Sequence, residues 1–144
     1  MEKFKEIHTL KSKLEQHRPL QQATVKNLRE VYRMEWTYHS NAIEGNTLSS
    51  LKMKVILEDG LTVGGKRLQE HLEVINHAEA IGFVEKLVQK QVPLNEQVLK
   101  EIHYLLLKSI DNENAGTYRS VNVRIKESNH SPLTFNRFNE KLVA

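Results

Sequence analysis

The sequence contains no cysteine, which excludes disulfide bonds and thiolate chemistry. No apolar run approaches the roughly 20 residues needed to span a bilayer, so membrane insertion is not expected. The opening Met1-Glu2-Lys3-Phe4-Lys5-Glu6 is charged where a secretory signal is apolar, and the default compartment is the cytoplasm. A basic block is also missing: 21 Lys and Arg are interspersed with 18 Asp and Glu, for a formal charge of +3. The densest local group is only Arg119, Arg124 and Lys126, too sparse for a nucleic-acid footprint. There is no Gly-x-Ser-x-Gly elbow and no His-Glu-x-x-His pair. Glu70, Glu73 and His77 share one helical face but lack a second Glu-x-x-His unit, and no metal site is assigned. Glycine does not occur after Gly116.

What is present is helical periodicity. The 144 residues, 39% hydrophobic and 27% charged, fit one mainly α domain with a sizeable core. Phe4, Ile7, Leu10 and Leu14 predict an amphipathic helix that ends before Pro19, its stripe serving either core packing or a partner helix. Val25, Leu28, Val31, Tyr32 and Trp36 continue a second stripe toward Ser40. Thr47 is the expected N-cap of a third helix that Gly60 stops, and residues 61–65 read as a loop. Leu68 to Val88 predict a long helix, in which Gly82 implies close approach of a neighbour. Asn95 is the expected N-cap of a helix bearing Val98, Leu99, Ile102, Leu105 and Leu106.

Beyond the polar break at 111–116, Val121, Val123 and Ile125 alternate with Asn122, Arg124 and Lys126. That period of two predicts a short β-hairpin turning through Ser128-Asn129. Phe135, Phe138 and Leu142 restart a helical spacing, and if the chain stops at Ala144 they need a surface to bury against, which makes a homo-oligomer an expectation.

The most informative stretch is Ser40-Asn41-Ala42-Ile43-Glu44-Gly45-Asn46. Ser40 and Glu44 are four apart and share a helix face, and Gly45 can take the left-handed conformation that ends a helix, leaving Glu44 at its tip. On physics alone this describes a C-capped helix with a solvated glutamate. The stretch also resembles the inhibitory motif of the Fic family, whose pattern is Ser or Thr, three residues, Glu, then Gly or Asn. A second match, Ala115-Gly116-Thr117-Tyr118-Arg119 followed by Val121 to Ile125, His130 and Pro132, resembles the segment that leads into and forms the family's hairpin flap.

The resemblance implies a Fic-like helical bundle with one short hairpin at about 119–132. It divides the chain into helices 1–46, ending in the motif, and 47–144, the first part of the Fic-like domain, in one compact unit. It implies transfer of AMP from ATP, with Mg²⁺, to a hydroxyl side chain of a target protein. The family's catalytic loop reads His-Pro-Phe, two residues, Gly-Asn-Gly-Arg, two residues, Arg; that loop is not in this sequence, and His130-Ser131-Pro132 does not replace it. No catalytic residue is therefore assigned, and ATP and Mg²⁺ are expected to bind poorly to this chain alone. By the same resemblance Glu44 is the inhibitory glutamate, with Ser40 and Gly45 supporting its helix, while Val121, Asn122, Val123, Arg124 and Ile125 form a docking edge for the target. The expected whole is an autoinhibited protein adenylyltransferase truncated before its loop. The rivals are a non-catalytic interaction module and an antitoxin-like subunit that lends Glu44 to a partner.

Overall fold

A computed structural model describes residues 2–126, 128–129 and 131–134. Among them the chain forms helices α1 (Glu2–Glu15), α2 (Gln22–Ile43), α3 (Ser50–Glu58), α4 (Leu68–Gln89) and α5 (Glu96–Leu107). Helix α4 is the hub, since α2, α3 and α5 each pack against it and α2 also touches α3. A helix with neighbours on several sides must be apolar on several sides, which explains why Leu68 to Val88 carry no single clean stripe.

The helix ends follow local chemistry. Asn95 caps α5 as expected, its Oδ1 accepting from Val98 N–H at 2.9 Å. At α3 the cap is Ser49 instead of Thr47, with Oγ accepting from Lys52 N–H at 3.4 Å. Thr47 is drawn away because its N–H and hydroxyl both serve the Glu70 carboxylate. At the far end of α5, Asn76 of α4 donates from Nδ2 to the carbonyls of Leu106 and Lys108, at 3.1 and 2.8 Å. A buried side chain of one helix thus satisfies carbonyls that the end of another leaves open.

The core sits between α3 and α4 and comprises Leu48, Met53, Ile56 and Val74, with Met34, Tyr38, Leu57 and Val63 packed around it. Helix α2 contributes Met34, Thr37, Tyr38 and Asn41, spaced three, four and seven apart. The apolar stripe Val25 to Trp36 is instead largely exposed, with Trp36 at 59%. Periodicity registers apolarity, whereas burial needs a neighbour, and α3 and α4 meet α2 on a different face. Gly82 is also less constrained than expected: a Cβ there would meet Arg33 Nη2 at an ordinary 3.8 Å.

The fold is mainly α, and no strand occurs among the described residues. The hairpin expected at 119–132 is therefore not seen as a ladder. Val121, Val123 and Ile125 are all exposed, so the segment has no apolar face packed on the body, and an isolated hairpin is marginal in water. Glu127 and His130, on either side of the expected turn, and the helix expected from Phe135 lie outside the described residues. None of the helices described is long and apolar enough to cross a membrane. Replacing Asn76 with Ala leaves two α5 carbonyls without their donor, and urea unfolding is expected to show a loss of about 1–3 kcal/mol with the helical content of the native state unchanged.

Candidate functional site

Helix α2 stops where the sequence says it should. Glu44 N–H donates to the Ser40 carbonyl at 3.3 Å, Gly45 N–H to Ala42 at 3.1 Å, and Asn46 N–H to Asn41 at 2.9 Å. Gly45 has φ +92°, and no atom lies within 4 Å of where a Cβ would stand. Its requirement is therefore one of backbone angle, not of space.

The turn that follows is nailed to α4. Asn46 is buried; its Nδ2 donates to the Glu70 carbonyl at 3.0 Å and to Glu73 Oε2 at 2.8 Å, while its Oδ1 accepts from Leu48 N–H at 3.0 Å. Glu70, 4% exposed, accepts at Oε1 from Thr47 N–H (2.9 Å) and the Thr47 hydroxyl (2.5 Å), and at Oε2 from Arg67 N–H (3.1 Å). Lys66 Nζ adds a contact to the Thr47 carbonyl at 2.9 Å. The Thr47 hydroxyl bond first, then the Thr47 and Arg67 N–H bonds, hold the Glu70 pKa down at about 2, against the opposing effect of burial. Next to it His71 Nε2 accepts from Val63 N–H at 2.9 Å, so its proton is on Nδ1, facing the Arg67 carbonyl at 2.9 Å.

With the turn anchored, the tip of α2 overlooks a cleft of about 610 Å³ between α2, α4 and α5. Ser40 and Glu44 line one wall, Glu73 and His77 the second, and His103 the third. Glu73 is already engaged, by Asn46 and by Gln69 Nε2 at 2.9 Å. The Glu44 carboxylate is exposed and takes no hydrogen bond or ion pair among the described residues, and the Ser40 hydroxyl makes none there either. His77, with Nδ1 3.3 Å from Thr37 Oγ1, has its pKa lowered by desolvation and so favours the neutral ring. No Lys or Arg lines the cleft among the described residues. With two carboxylates, its chemistry favours a cationic, hydrogen-bond-donating group over a phosphate.

The second motif lies against α5. Gly116 has φ +73°, and a Cβ there would come within 3.1 Å of Tyr104 Cβ and 3.2 Å of the Lys100 carbonyl, so both angle and space demand glycine. Its N–H donates to His103 Nδ1 at 3.1 Å, and Lys100 Nζ stands 4.9 Å from the centre of the Tyr118 ring. Val121 to Ile125 continue from this anchor as exposed chain and do not line the cleft.

No family model matches the chain. It is 38% identical over 106 residues to a protein adenylyltransferase Fic of Nematostella vectensis, covering 73% of this chain and 24% of that protein. To protein adenylyltransferase fic-1 of Caenorhabditis elegans it is 32% identical over 124 residues, 85% of this chain and 24% of that one. A Fic domain containing signaling protein of Bacteroides thetaiotaomicron superposes with a TM-score of 0.74 at 29% identity, over 81% of this chain and 44% of that chain. Fic-1 of Caenorhabditis elegans superposes with a TM-score of 0.73 at 29% identity, over 96% and 40%.

The chain belongs to the Fic family. It spans about a quarter of the length of the curated relatives it matches. In this Fic chain the motif residues Ser40 and Glu44 share the cleft with residues that sequence reasoning did not assign to it, namely Glu73, His77 and His103, while Asn46 anchors the turn beside it. The sequence signals were indirect: Asn46 directly follows the Glu-Gly pair, and Glu73 shares a helical face with Glu70 and His77, a face weighed there only as a metal site.

Glu70 also makes stability depend on acid. Its pKa is lowered in the folded chain, so its contribution is complete above the unfolded carboxylate value near 4.5 and is lost as pH falls from there toward 2. Thermal melts between pH 6 and pH 2 are expected to show a steep decline for the native chain. Glu70→Gln should be less stable at pH 6 and flatter across that range.

Proposed function

We propose that this chain is the regulatory and target-docking part of a Fic-type protein adenylyltransferase, and that Glu44 acts as its internal brake. The observation that carries the reading is that, among the described residues, the Glu44 carboxylate is unpaired at the rim of a cleft lined by a second carboxylate and by no Lys or Arg. Such a cleft is complementary to a guanidinium. The family's catalytic loop ends in an arginine, and an arginine held by Glu44 is withdrawn from the phosphates it would otherwise clamp, while the carboxylate itself repels them.

The full reaction in this proposal moves AMP from ATP to a protein hydroxyl. ATP and Mg²⁺ belong to the catalytic loop, which these 144 residues do not contain. The cleft residues by themselves, two carboxylates without a phosphate-binding cation, do not fit the triphosphate. The chain's own residues do two things in this reading. Ser40, Gly45 and the Asn46 clamp present Glu44 in a fixed position, and Val121, Asn122, Val123, Arg124 and Ile125 form an exposed segment along which an extended target segment would dock. The relatives named protein adenylyltransferases support this reading.

Two measurements check it. In the polypeptide that joins this chain to a catalytic loop of the family pattern, Glu44→Gly is expected to raise AMP transfer at least about tenfold, equivalent to about 1.4 kcal/mol. An unchanged rate in a folded protein removes Glu44 from the inhibitory role. The 144-residue chain alone, incubated with ATP, Mg²⁺ and a cell extract, is expected to label no protein with AMP; robust labelling would show that chemistry does not need the loop.

A further inference from the structure

His103 stands where the two motifs meet. On α5, Leu99, Lys100, His103 and Leu107 recur at three- and four-residue spacing and share one face. That face borders a second cavity, of about 490 Å³, against the segment 111–119. His103 and Leu107 also line the cleft that holds Ser40 and Glu44. The imidazole is therefore part of the partition between the two.

The segment beyond the partition comes close to α5 at Gly116. Ala115 N–H donates to the Asp111 carbonyl at 3.0 Å and Thr117 N–H to the Asn114 carbonyl at 3.1 Å, which curls residues 111–117 into turns. The tight fit of Gly116 against Tyr104 and the Lys100 carbonyl then brings its N–H to His103 Nδ1 at 3.1 Å. A backbone N–H can only donate, so Nδ1 accepts and the neutral ring carries its proton on Nε2. Past this bond Val121, Val123 and Ile125 are exposed.

We propose that His103 is the positioning residue of the docking segment, holding residues 116–125 to α5 while its ring is neutral and releasing them when the ring is protonated. The proposal rests on the reading above for what the segment binds. An imidazolium carries N–H on both nitrogens, so protonation turns the Nδ1 acceptor into a donor that faces another donor, and the bond to Gly116 is lost. Imidazole is the side chain whose ordinary titration makes such a change reversible between about pH 5 and pH 8. The ionisable groups around it are Glu44 of α2 and Glu73 and His77 of α4 on the cleft side, with Lys100, Asp111 and Arg119 on the other. Lys100 is paired with Glu96 at 2.8 Å, and Asp111 Oδ2 accepts from Asn114 Nδ2 at 2.8 Å, so both are committed to neighbours other than Gly116.

The test reads backbone amides of the isotopically labelled 144-residue chain by nuclear magnetic resonance from about pH 8 to about pH 5. The Gly116 amide signal is expected to move with the titration of the His103 ring, and those of residues 121–125 to move with it. His103→Asn sets an amide oxygen where Nδ1 stood and does not titrate; it is expected to keep the exchange protection of the Gly116 amide and to abolish the pH-dependent movement. His103→Gln is nearer in size but carries its oxygen one bond further out, and is expected to lower that protection about two- to tenfold at every pH. A ring that only fills space predicts the reverse order, glutamine replacing it better than asparagine. That reverse order, or a Gly116 amide that ignores the His103 titration in the native chain, overturns the proposal. His77, whose Nδ1 faces Thr37, is present in all three chains, so a movement that survives in His103→Asn belongs to another group and overturns it as well. Circular dichroism verifies that both variants fold, and the native titration stands without them. Only this chain is measured, so a failure here leaves the adenylyl-transfer reading untouched, and a failure of that reading leaves this result standing.

Discussion

The carboxylate of Glu70 holds the chain where it leaves α2 and re-enters the bundle, and much of the geometry around it follows from that one group. Three protons from Thr47 and Arg67 converge on its two oxygens, and Asn46 ties the same turn to the Glu70 carbonyl and to Glu73. A buried carboxylate is tolerated only when such donors replace its water, and here they come from Thr47 in the α2–α3 connection and from Arg67 at the start of α4. Registering α2 against α4 in this way brings Thr37 and Asn41 inward and sets Glu44 over the cleft.

The site is consequently a property of a turn more than of a helix. Gly45 supplies an angle, Asn46 a clamp, and α4 the platform, and the result is that Glu44 is held in place by its backbone while its side chain is left unengaged among the described residues. The proposed capture of an arginine by Glu44 would benefit from this division, because the cost of ordering the backbone is met by the fold and not by the arginine contact. Glu73 shows the opposite treatment: its two oxygens are committed to Asn46 and Gln69, and it shapes the field of the cleft without being free to move.

Much of this was legible residue by residue. The helix ends at Gly45 and Gly60 and the Asn95 cap follow from local chemistry, which depends on neighbours three or four residues away and so is written in the sequence. Thr47 was misread for the same reason. A threonine before an apolar run is a good cap locally, and only Glu70, 23 residues on, outcompetes the helix for it. The stripe from Val25 to Trp36 was legible as a helix face and not as a surface without a cover, since amphipathic spacing cannot say which neighbour is present. The hairpin pattern at 121–125 was read from period two, but a ladder requires a second strand and a packed face, and the described residues provide neither.

By itself the sequence determined the mainly α class, the position and termination of most helices, the Ser40–Glu44–Gly45 motif and, by resemblance, the Fic family. Those depend on short-range spacing and on residue types whose backbone preferences act locally. The tertiary structure alone decided that Asn46, Glu70 and Glu73 lock the motif to α4 and that, among the described residues, the cleft facing Glu44 contains carboxylates and no Lys or Arg while α1 and the Trp36 face lie bare. Each of these is a meeting, or a failure to meet, between residues far apart in the chain, and no local rule of propensity or periodicity encodes which distant surface a side chain will find.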